Sequence, residues 1–439
     1  MSKIFKINHT IKSFQKKIIV SGDKSLSIRW VLFASLASGI SKAYNLLMSE
    51  DVIAAIMMIK RLGVKVKLSK NNCEIHGVGI NGYNYKKKLI LNAGNSGTLG
   101  RLILGLLINS KYNIKLIGDK SLSKRDFKRV AVPLEKFGAQ IKLNKNKGLP
   151  LTILGSDNLK PIKYFENKGS AQCKSSVIFA GFRTDGKTLI KAKKSRNHTE
   201  LLCNYLKLPI KVKKQKNYDL IEVNKLKKIK PFNYKIPSDI SSSAFFIVLT
   251  TLVNNSILKI KNININPSRT GVITILKKMG ANIKLLNIRN YNGELISDIL
   301  IKSSKKLKSI NCPAKLNSGA IDEFLLIFLV AAKANGISIF KNLSELNEKE
   351  SPRLYWGAKI LSKMGIKNIV TKNSIKIYGN PKLQIKKKII IKNYLKDHRV
   401  FMTSVIGALS FGGNWEIHDK DSINTSFPNF LKTINILKK

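Results

Sequence analysis

Apolar residues recur along the chain in two alternating periods. Stripes with helical spacing end at glycine and lead into strand-like alternation. They do so at Leu62-Gly63-Val64-Lys65-Val66, Phe137-Gly138-Ala139-Gln140-Ile141, Met279-Gly280-Ala281-Asn282-Ile283 and Met364-Gly365-Ile366. Glycine at that point fits a helix C-cap in the left-handed region. A copy without glycine lies at Leu206 to Val212, and Phe430 to Leu437 has the pattern of a final helix. The spacing of roughly 70 to 85 residues gives about six units, each able to hold a helix and several strands. A chain of 439 residues exceeds the size at which one core stops growing, so two domains of three units is the economical arrangement. Short strands, hairpins and helices in alternation predict an α/β or α+β fold.

The polar motifs fall at strand-to-helix transitions. Ile18-Ile19-Val20 runs into Ser21-Gly22-Asp23-Lys24-Ser25 and then a helical stripe; Leu89-Ile90-Leu91 runs into Asn92-Ala93-Gly94-Asn95-Ser96-Gly97-Thr98 and another. Small residues at such junctions expose backbone N–H groups where the helix dipole also favours an anion. Two such loops with cations beside them point to a phosphate or carboxylate ligand, whereas one alone reads equally well as a plain helix cap.

Composition changes this picture little. Hydrophobic residues make up 44% of the chain, ordinary for a globular protein. The longest apolar runs, Phe324 to Ala332 and Phe245 to Val253, reach about half the length needed to span a bilayer. The lysine-rich start is followed by a strand-like segment rather than an apolar leader, so a cytoplasmic protein without membrane attachment is expected. Cys73, Cys173, Cys203 and Cys312 are scattered without ligand spacing, which argues against both a disulfide framework and a zinc site. The net charge of +55 suggests nucleic acid at first sight. Lysine, however, is spread over the whole length among abundant isoleucine and asparagine, as A/T-rich codons would produce. No specific nucleic-acid partner is expected, and aromatic platforms interleaved with basic residues are not evident. A positive field still attracts small polyanions.

Arginine is the minority cation, and its positions stand out against the lysine background. Its rigid fork suits carboxylate and phosphate. Together with their neighbours these positions form an ordered series. The series opens with Gly22-Asp23-Lys24-Ser25-Leu26-Ser27-Ile28-Arg29, Asn95-Ser96-Gly97-Thr98 with Arg101, and Gly118 through Arg125. Ser170-Ala171-Gln172-Cys173-Lys174, Ser195-Arg196-Asn197-His198-Thr199-Glu200 and Pro237 through Ser242 follow. Asn266 through Gly271, Ile321-Asp322-Glu323, Lys349-Glu350-Ser351, Asp397-His398-Arg399 and Ser426-Phe427-Pro428 complete it. In order and spacing this resembles the EPSP synthase family across nearly the whole chain. The Ser-Ala-Gln-x-Lys and Arg-x-His-Thr-Glu forms are similar to the second class of that family, which contains glyphosate-tolerant members.

The resemblance implies two domains, each of three repeated βαβαββ units, with the active site in the cleft between them. Here the domains would be 22–235, and 1–21 with 236–439, joined by two hinge crossings. It implies enolpyruvyl transfer from phosphoenolpyruvate to the 5-hydroxyl of shikimate-3-phosphate, without metal or organic cofactor, and a monomer. Lys24, Ser25, Arg29, Ser170, Ala171, Gln172, Ser195 and Arg196 would hold shikimate-3-phosphate. Gly97, Arg125, Arg353 and Arg399 would hold phosphoenolpyruvate, with Lys24 and Gln172 near both ligands and Asn95 and Lys349 also in the binding set. Asp322 would take the hydroxyl proton, Glu350 would protonate the methylene carbon, and Lys24 would assist catalysis. In isolation Asp322 reads as readily as a helix N-cap. His398 is expected to be structural or a hydrogen-bond donor beside Arg399.

Several positions depart from the family pattern. Asp126 follows Arg125 where proline is usual, and a carboxylate there is placed to compete for the guanidinium. Pro352 stands where aspartate is usual, Asn347 and Glu348 replace Arg-Val, and Thr425 replaces the phosphate-binding lysine of the first class. The sister enzymes acting on UDP-N-acetylglucosamine carry asparagine in place of Ser25 and a reactive cysteine in the loop Ser121 to Arg125, where none occurs here.

Overall fold

The computed structural model describes residues 3–439. The chain divides into two compact units. One comprises Gly22–Ile236 with Tyr291–Glu294; the other comprises residues through Ser21, Pro237–Asn290 and Leu295–Lys439. Each has its own apolar core.

In the first unit two sheets repeat one topology. Strands Leu89–Asn92 and Ile114–Ile117 pair in parallel, and the hairpin Gln140–Lys142/Leu151–Leu154 returns antiparallel beside them. Strands Lys163–Glu166, Thr188–Lys193, Ile210–Lys214 and Tyr218–Val223 do the same. A parallel pair needs a crossover; helices Gly97–Leu106 and Ala171–Gly181 supply it. Helices Lys128–Glu135 and His198–Tyr205 then lead into the hairpins, which makes each repeat βαβαββ. The third sheet borrows its edge: Asn233–Lys235 lies parallel to Ser38–Tyr44.

The second unit holds three further sheets. Its N-terminal strands complete two of them. Gln15–Ile19 pairs in parallel with Ile257–Asn264, and Phe5–Ile7 pairs antiparallel with Asn414–Ile417. The remaining sheet is Ile337–Phe340, Ile375–Tyr378 and Asn368–Val370, with isolated parallel bridges from Lys308 to Asn335 and from Asn311 to Ile339 in place of a full first strand.

Helices apolar all round become core helices. Ile240–Leu252 is buried at every position, and Phe324–Lys333 at all but the last. Strands present one face inward: Thr188–Lys193 alternates buried and exposed along its length, so Lys191 and Lys193 point to solvent. Gly365 caps helix Arg353–Met364 in the left-handed region at φ 86°. In the copy that lacks glycine, Lys207 takes that conformation at φ 54°, at a cost of about 1–2 kcal/mol. Among the described residues no helix is long and apolar enough to cross a membrane. All four cysteines are buried and free, and burial pushes the Cys73 thiol up to about 12.

Candidate functional site

In the first unit three core helices begin at side chains that cap them. Asp23 Oδ1 accepts from the Leu26 amide at 2.9 Å, Ser96 Oγ from Leu99 at 3.3 Å and Ser170 Oγ from Cys173 at 3.2 Å. These caps leave Lys24–Ser25, Gly97–Thr98 and Ala171–Gln172 on first turns, where the helix dipole favours an anion. A Cβ on Gly22 would lie 2.1 Å from the Asn45 carbonyl oxygen, so only glycine lets the chain enter its helix there.

Lys24 reaches Asp51 at 2.8 Å and keeps 22% of its side chain exposed. Arg29, one turn along the same helix, is buried. It ties three segments together. Nη1 donates to the Ser25 carbonyl at 3.0 Å, Nε to Thr199 Oγ1 at 2.7 Å and Nη2 to Ser175 Oγ at 3.3 Å. Burial pulls its pKa down to about 10 against the raising influence of Glu200. Ser175 Oγ in turn donates to the Ala171 carbonyl at 2.7 Å. Ser25, Ala171 and the loop before Thr199, which carries Ser195 and Arg196, are thus braced by one guanidinium. Ser195 Oγ is buried and makes no hydrogen bond to the protein, leaving it available to a ligand hydroxyl or phosphate.

A second group gathers at the Gly97 helix. Arg125 Nη2 donates to Asn95 Oδ1 at 3.4 Å, and Asn95 Nδ2 donates to Asp119 at 2.6 Å. A Cβ on Gly97 would lie 2.9 Å from Arg125 Nη1 and 3.2 Å from Arg101 Nη1. Arg101 fixes Gln172: Nη1 donates to Gln172 Oε1 at 2.5 Å, while Gln172 Nε2 donates to Thr98 Oγ1 at 3.1 Å. Arg101 also donates to the Asp126 carbonyl at 3.1 Å. The Asp126 carboxylate accepts from the Lys128 amide at 2.8 Å, so it serves as a turn cap at the start of the next helix.

In the second unit the expected proton-transfer residues meet at one guanidinium. Arg353 Nη1 lies 3.2 Å from Asp322 Oδ1, Nη2 binds Glu350 Oε2, and Nε donates to Asp397 Oδ2 at 2.9 Å. Lys349 Nζ adds a contact to Asp322 Oδ1 at 3.3 Å, and Arg399 Nη1 donates to the Asp322 carbonyl at 2.9 Å. Burial works against the Arg353 cation, but Asp397, Glu350 and Asp322 outweigh it and hold its pKa above the ordinary value. Burial likewise opposes the Asp397 charge, and Arg353 reverses that, leaving its pKa below the usual carboxylate value. Asp397 also caps helix His398–Phe411 by accepting from the Arg399 amide at 2.9 Å. Asp322 is not the N-cap of the following helix; that position is Glu323. His398 Nδ1 lies 3.1 Å from Thr425 Oγ1.

Two networks carry no role in the sequence reading. Arg269, buried, donates to Asp239 at 3.1 Å and to Ser241 Oγ at 2.6 Å, and Ser241 donates to Glu323 at 2.5 Å. Arg399 stands 3.7 Å from the same Glu323 carboxylate, so this chain of contacts backs the Arg399 side chain. Arg101, named in the motif series but given no role there, is the other. Its signal was present: it lies four positions after Gly97, on the same helix face.

The chain matches the family described as EPSP synthase (3-phosphoshikimate 1-carboxyvinyltransferase) over residues 9–434. A relative named 3-phosphoshikimate 1-carboxyvinyltransferase, from Ruthia magnifica subsp. Calyptogena magnifica, is 43% identical over 418 residues, covering 95% of this chain and 94% of its own. A solved EPSP synthase from Acinetobacter baumannii superposes with a TM-score of 0.87 at 36% identity, covering 100% of this chain and 98% of that one. The enolpyruvyl transferase NikO from Streptomyces tendae, at 13% identity and a TM-score of 0.76, covering 100% of this chain and 98% of its own, shares the fold. A match spanning nearly the whole chain, with relatives at this identity, makes this chain a member of the EPSP synthase (3-phosphoshikimate 1-carboxyvinyltransferase) family.

Proposed function

We infer that this chain transfers the enolpyruvyl group of phosphoenolpyruvate to the 5-hydroxyl of shikimate-3-phosphate, releasing phosphate. One observation supports the residue roles above the others: Asp322 and Glu350, from separate segments, both contact Arg353. The chemistry needs a base for the attacking hydroxyl and an acid for the methylene carbon, and it forms and expels an anionic phosphate. Asp322 takes the hydroxyl proton, and Glu350 protonates carbon 3. Gly97, Arg125, Arg353 and Arg399 hold phosphoenolpyruvate and stabilise the leaving phosphate, with Lys24 and Gln172 near both ligands, Lys24 assisting catalysis, and Asn95 and Lys349 also in the binding set.

Ser25, Arg29, Ser170, Ala171, Gln172, Ser195 and Arg196 hold shikimate-3-phosphate, Arg29 bracing as well as binding. The division between the two units falls near residues 22 and 236. The enzyme works as a cytoplasmic monomer without metal or organic cofactor. The charge of +55 draws in its two anionic substrates and carries no specific nucleic-acid role.

Isotope position tests the reaction class. Addition to carbon 2 followed by elimination breaks the carbon–oxygen bond, so oxygen-18 placed in the bridging position of phosphoenolpyruvate should appear in the released phosphate. Label retained on the carbon skeleton would instead mean phosphoryl transfer and would overturn the reading.

A further inference from the structure

Addition must begin with Asp322 unprotonated and Glu350 carrying the proton destined for carbon 3. Yet Arg353 holds both carboxylates: Nη1 lies 3.2 Å from Asp322 Oδ1, and Nη2 binds Glu350 Oε2. A cation in contact favours the ionised form of each partner. This arrangement therefore works against Glu350 as a proton donor.

The three carboxylates on Arg353 are not equivalent. Asp397 is 0% exposed and grips the guanidinium through Nε and Nη2. Ser351 Oγ supports it further, donating to Asp397 Oδ2 at 2.9 Å. Glu350 is 15% exposed and Asp322 14%. Asp322 has further cationic company in Lys349 at 3.3 Å, while its carbonyl receives Arg399 Nη1 at 2.9 Å. Arg399 in turn lies 3.7 Å from Glu323, and His398 contributes positive potential at Asp397. An entering anion therefore meets Glu350 and Asp322 as the outer partners of Arg353, Lys349 holding Asp322 besides, while Asp397 anchors the guanidinium from behind.

We propose that phosphoenolpyruvate loads its own proton donor: its carboxylate takes the place of Glu350 on Arg353, and Glu350 picks up one proton from solvent as it is released. The inference rests on the roles given to Arg353 and Glu350 above. The balance closes over the cycle. In addition, the 5-oxygen bonds to carbon 2, its proton passes to Asp322, and the Glu350 proton passes to carbon 3. In elimination, the new methyl group returns a proton to Glu350, the carbon 2–oxygen bond to the phosphate breaks, and phosphate leaves with the proton held by Asp322. Asp322 stays ionised at the outset because Lys349 remains beside it when Arg353 turns to the substrate.

The test is calorimetric titration of phosphoenolpyruvate into enzyme saturated with the 5-deoxy analogue of shikimate-3-phosphate, which lacks the attacking hydroxyl. Runs near pH 7 in buffers of different ionisation enthalpy give the protons taken up; at that pH a phosphate monoester is mostly doubly ionised, its second pKa being about 6. Wild type should take up close to one proton more than Glu350→Gln. Glu350→Asp, which keeps a titratable group, should restore most of that uptake. Equal uptake by wild type and Glu350→Gln would overturn the inference. If Glu350→Gln also loses turnover with the true substrates, the role of Glu350 stands and only its loading by substrate fails. Near-normal turnover in Glu350→Gln would remove the underlying role itself.

Discussion

Lys174 Nζ stands 2.6 Å from Glu200 Oε1, with the two side chains 0% and 4% exposed. The pair lies beside the Arg29 brace, and Glu200 is the leading carboxylate acting on that guanidinium as well. Removing one partner of a buried pair leaves an uncompensated charge, which costs about 3–5 kcal/mol, whereas replacing both by apolar residues is often neutral. Glu200→Gln should therefore lower the urea-derived stability by about 3–5 kcal/mol. The double variant Lys174→Met/Glu200→Leu should recover most of that loss. A loss below about 1 kcal/mol in the single variant would show that another group compensates Lys174.

Proton transfer and anion binding separate by mutation. Asp322→Asn and Glu350→Gln should reduce turnover by about 10²- to 10⁴-fold with substrate affinity largely kept. Arg399→Ala should instead weaken phosphoenolpyruvate binding by about 1.5–3 kcal/mol, the worth of a charged hydrogen bond. Steady-state kinetics with each substrate varied in turn checks both. Near-normal turnover in the two carboxylate variants would mean the roles were misassigned.

Gly97 is a steric probe of the same ligand. Glyphosate is a longer molecule than phosphoenolpyruvate, so a methyl group added at Gly97 would intrude on the inhibitor more than on the substrate. The structure adds a neighbour: the new methyl group would press on the Arg125 and Arg101 guanidinium ends. Both are flexible termini, so the shift is inexpensive, but it moves a phosphoenolpyruvate-holding group. Gly97→Ala should raise the Michaelis constant for phosphoenolpyruvate modestly and the inhibition constant for glyphosate far more, by about five- to hundredfold. Equal changes in the two constants would refute the steric account.

Asp397 predicts the acid limb of stability. Its folded-state pKa lies below the ordinary value of 3.8 because Arg353 outweighs burial. The stability it contributes is therefore fully present above that ordinary value and is lost as pH falls through the lower folded one. Denaturation midpoints should drop steeply below about pH 4. Asp397→Asn should be less stable at neutral pH and show a flatter acid slope. An unchanged slope would assign acid sensitivity to other carboxylates.

What was legible in the sequence was what local chemistry decides. The glycine-ended stripes marked four helix ends because the left-handed cap at Gly365 and its counterparts is a property of a few adjacent residues. The junctions before the helices at Lys24 and Gly97 were legible as small polar residues between a strand and an apolar stripe, though which side chain caps each, Asp23 and Ser96, emerged only from the structure. Contacts between distant segments were less accessible. That Asn233–Lys235 would close the sheet of Ser38–Tyr44 has no local signature. Asp322 alone was as good a helix cap as a catalytic base; its contact with Arg353, 31 positions on, decides that it is an ion-pair partner. At Asp126 the sequence offered the adjacent Arg125 as a partner, and the structure adds a second local one, the Lys128 amide that its side chain accepts.

Phosphate release with the two substrates supplied together and then singly tests the central claim most directly. Enzyme with both phosphoenolpyruvate and shikimate-3-phosphate should release one phosphate for each enolpyruvyl ether formed, and omission of either substrate should abolish release. Phosphate freed from phosphoenolpyruvate alone, or no release with both present, would contradict enolpyruvyl transfer as the function of this chain.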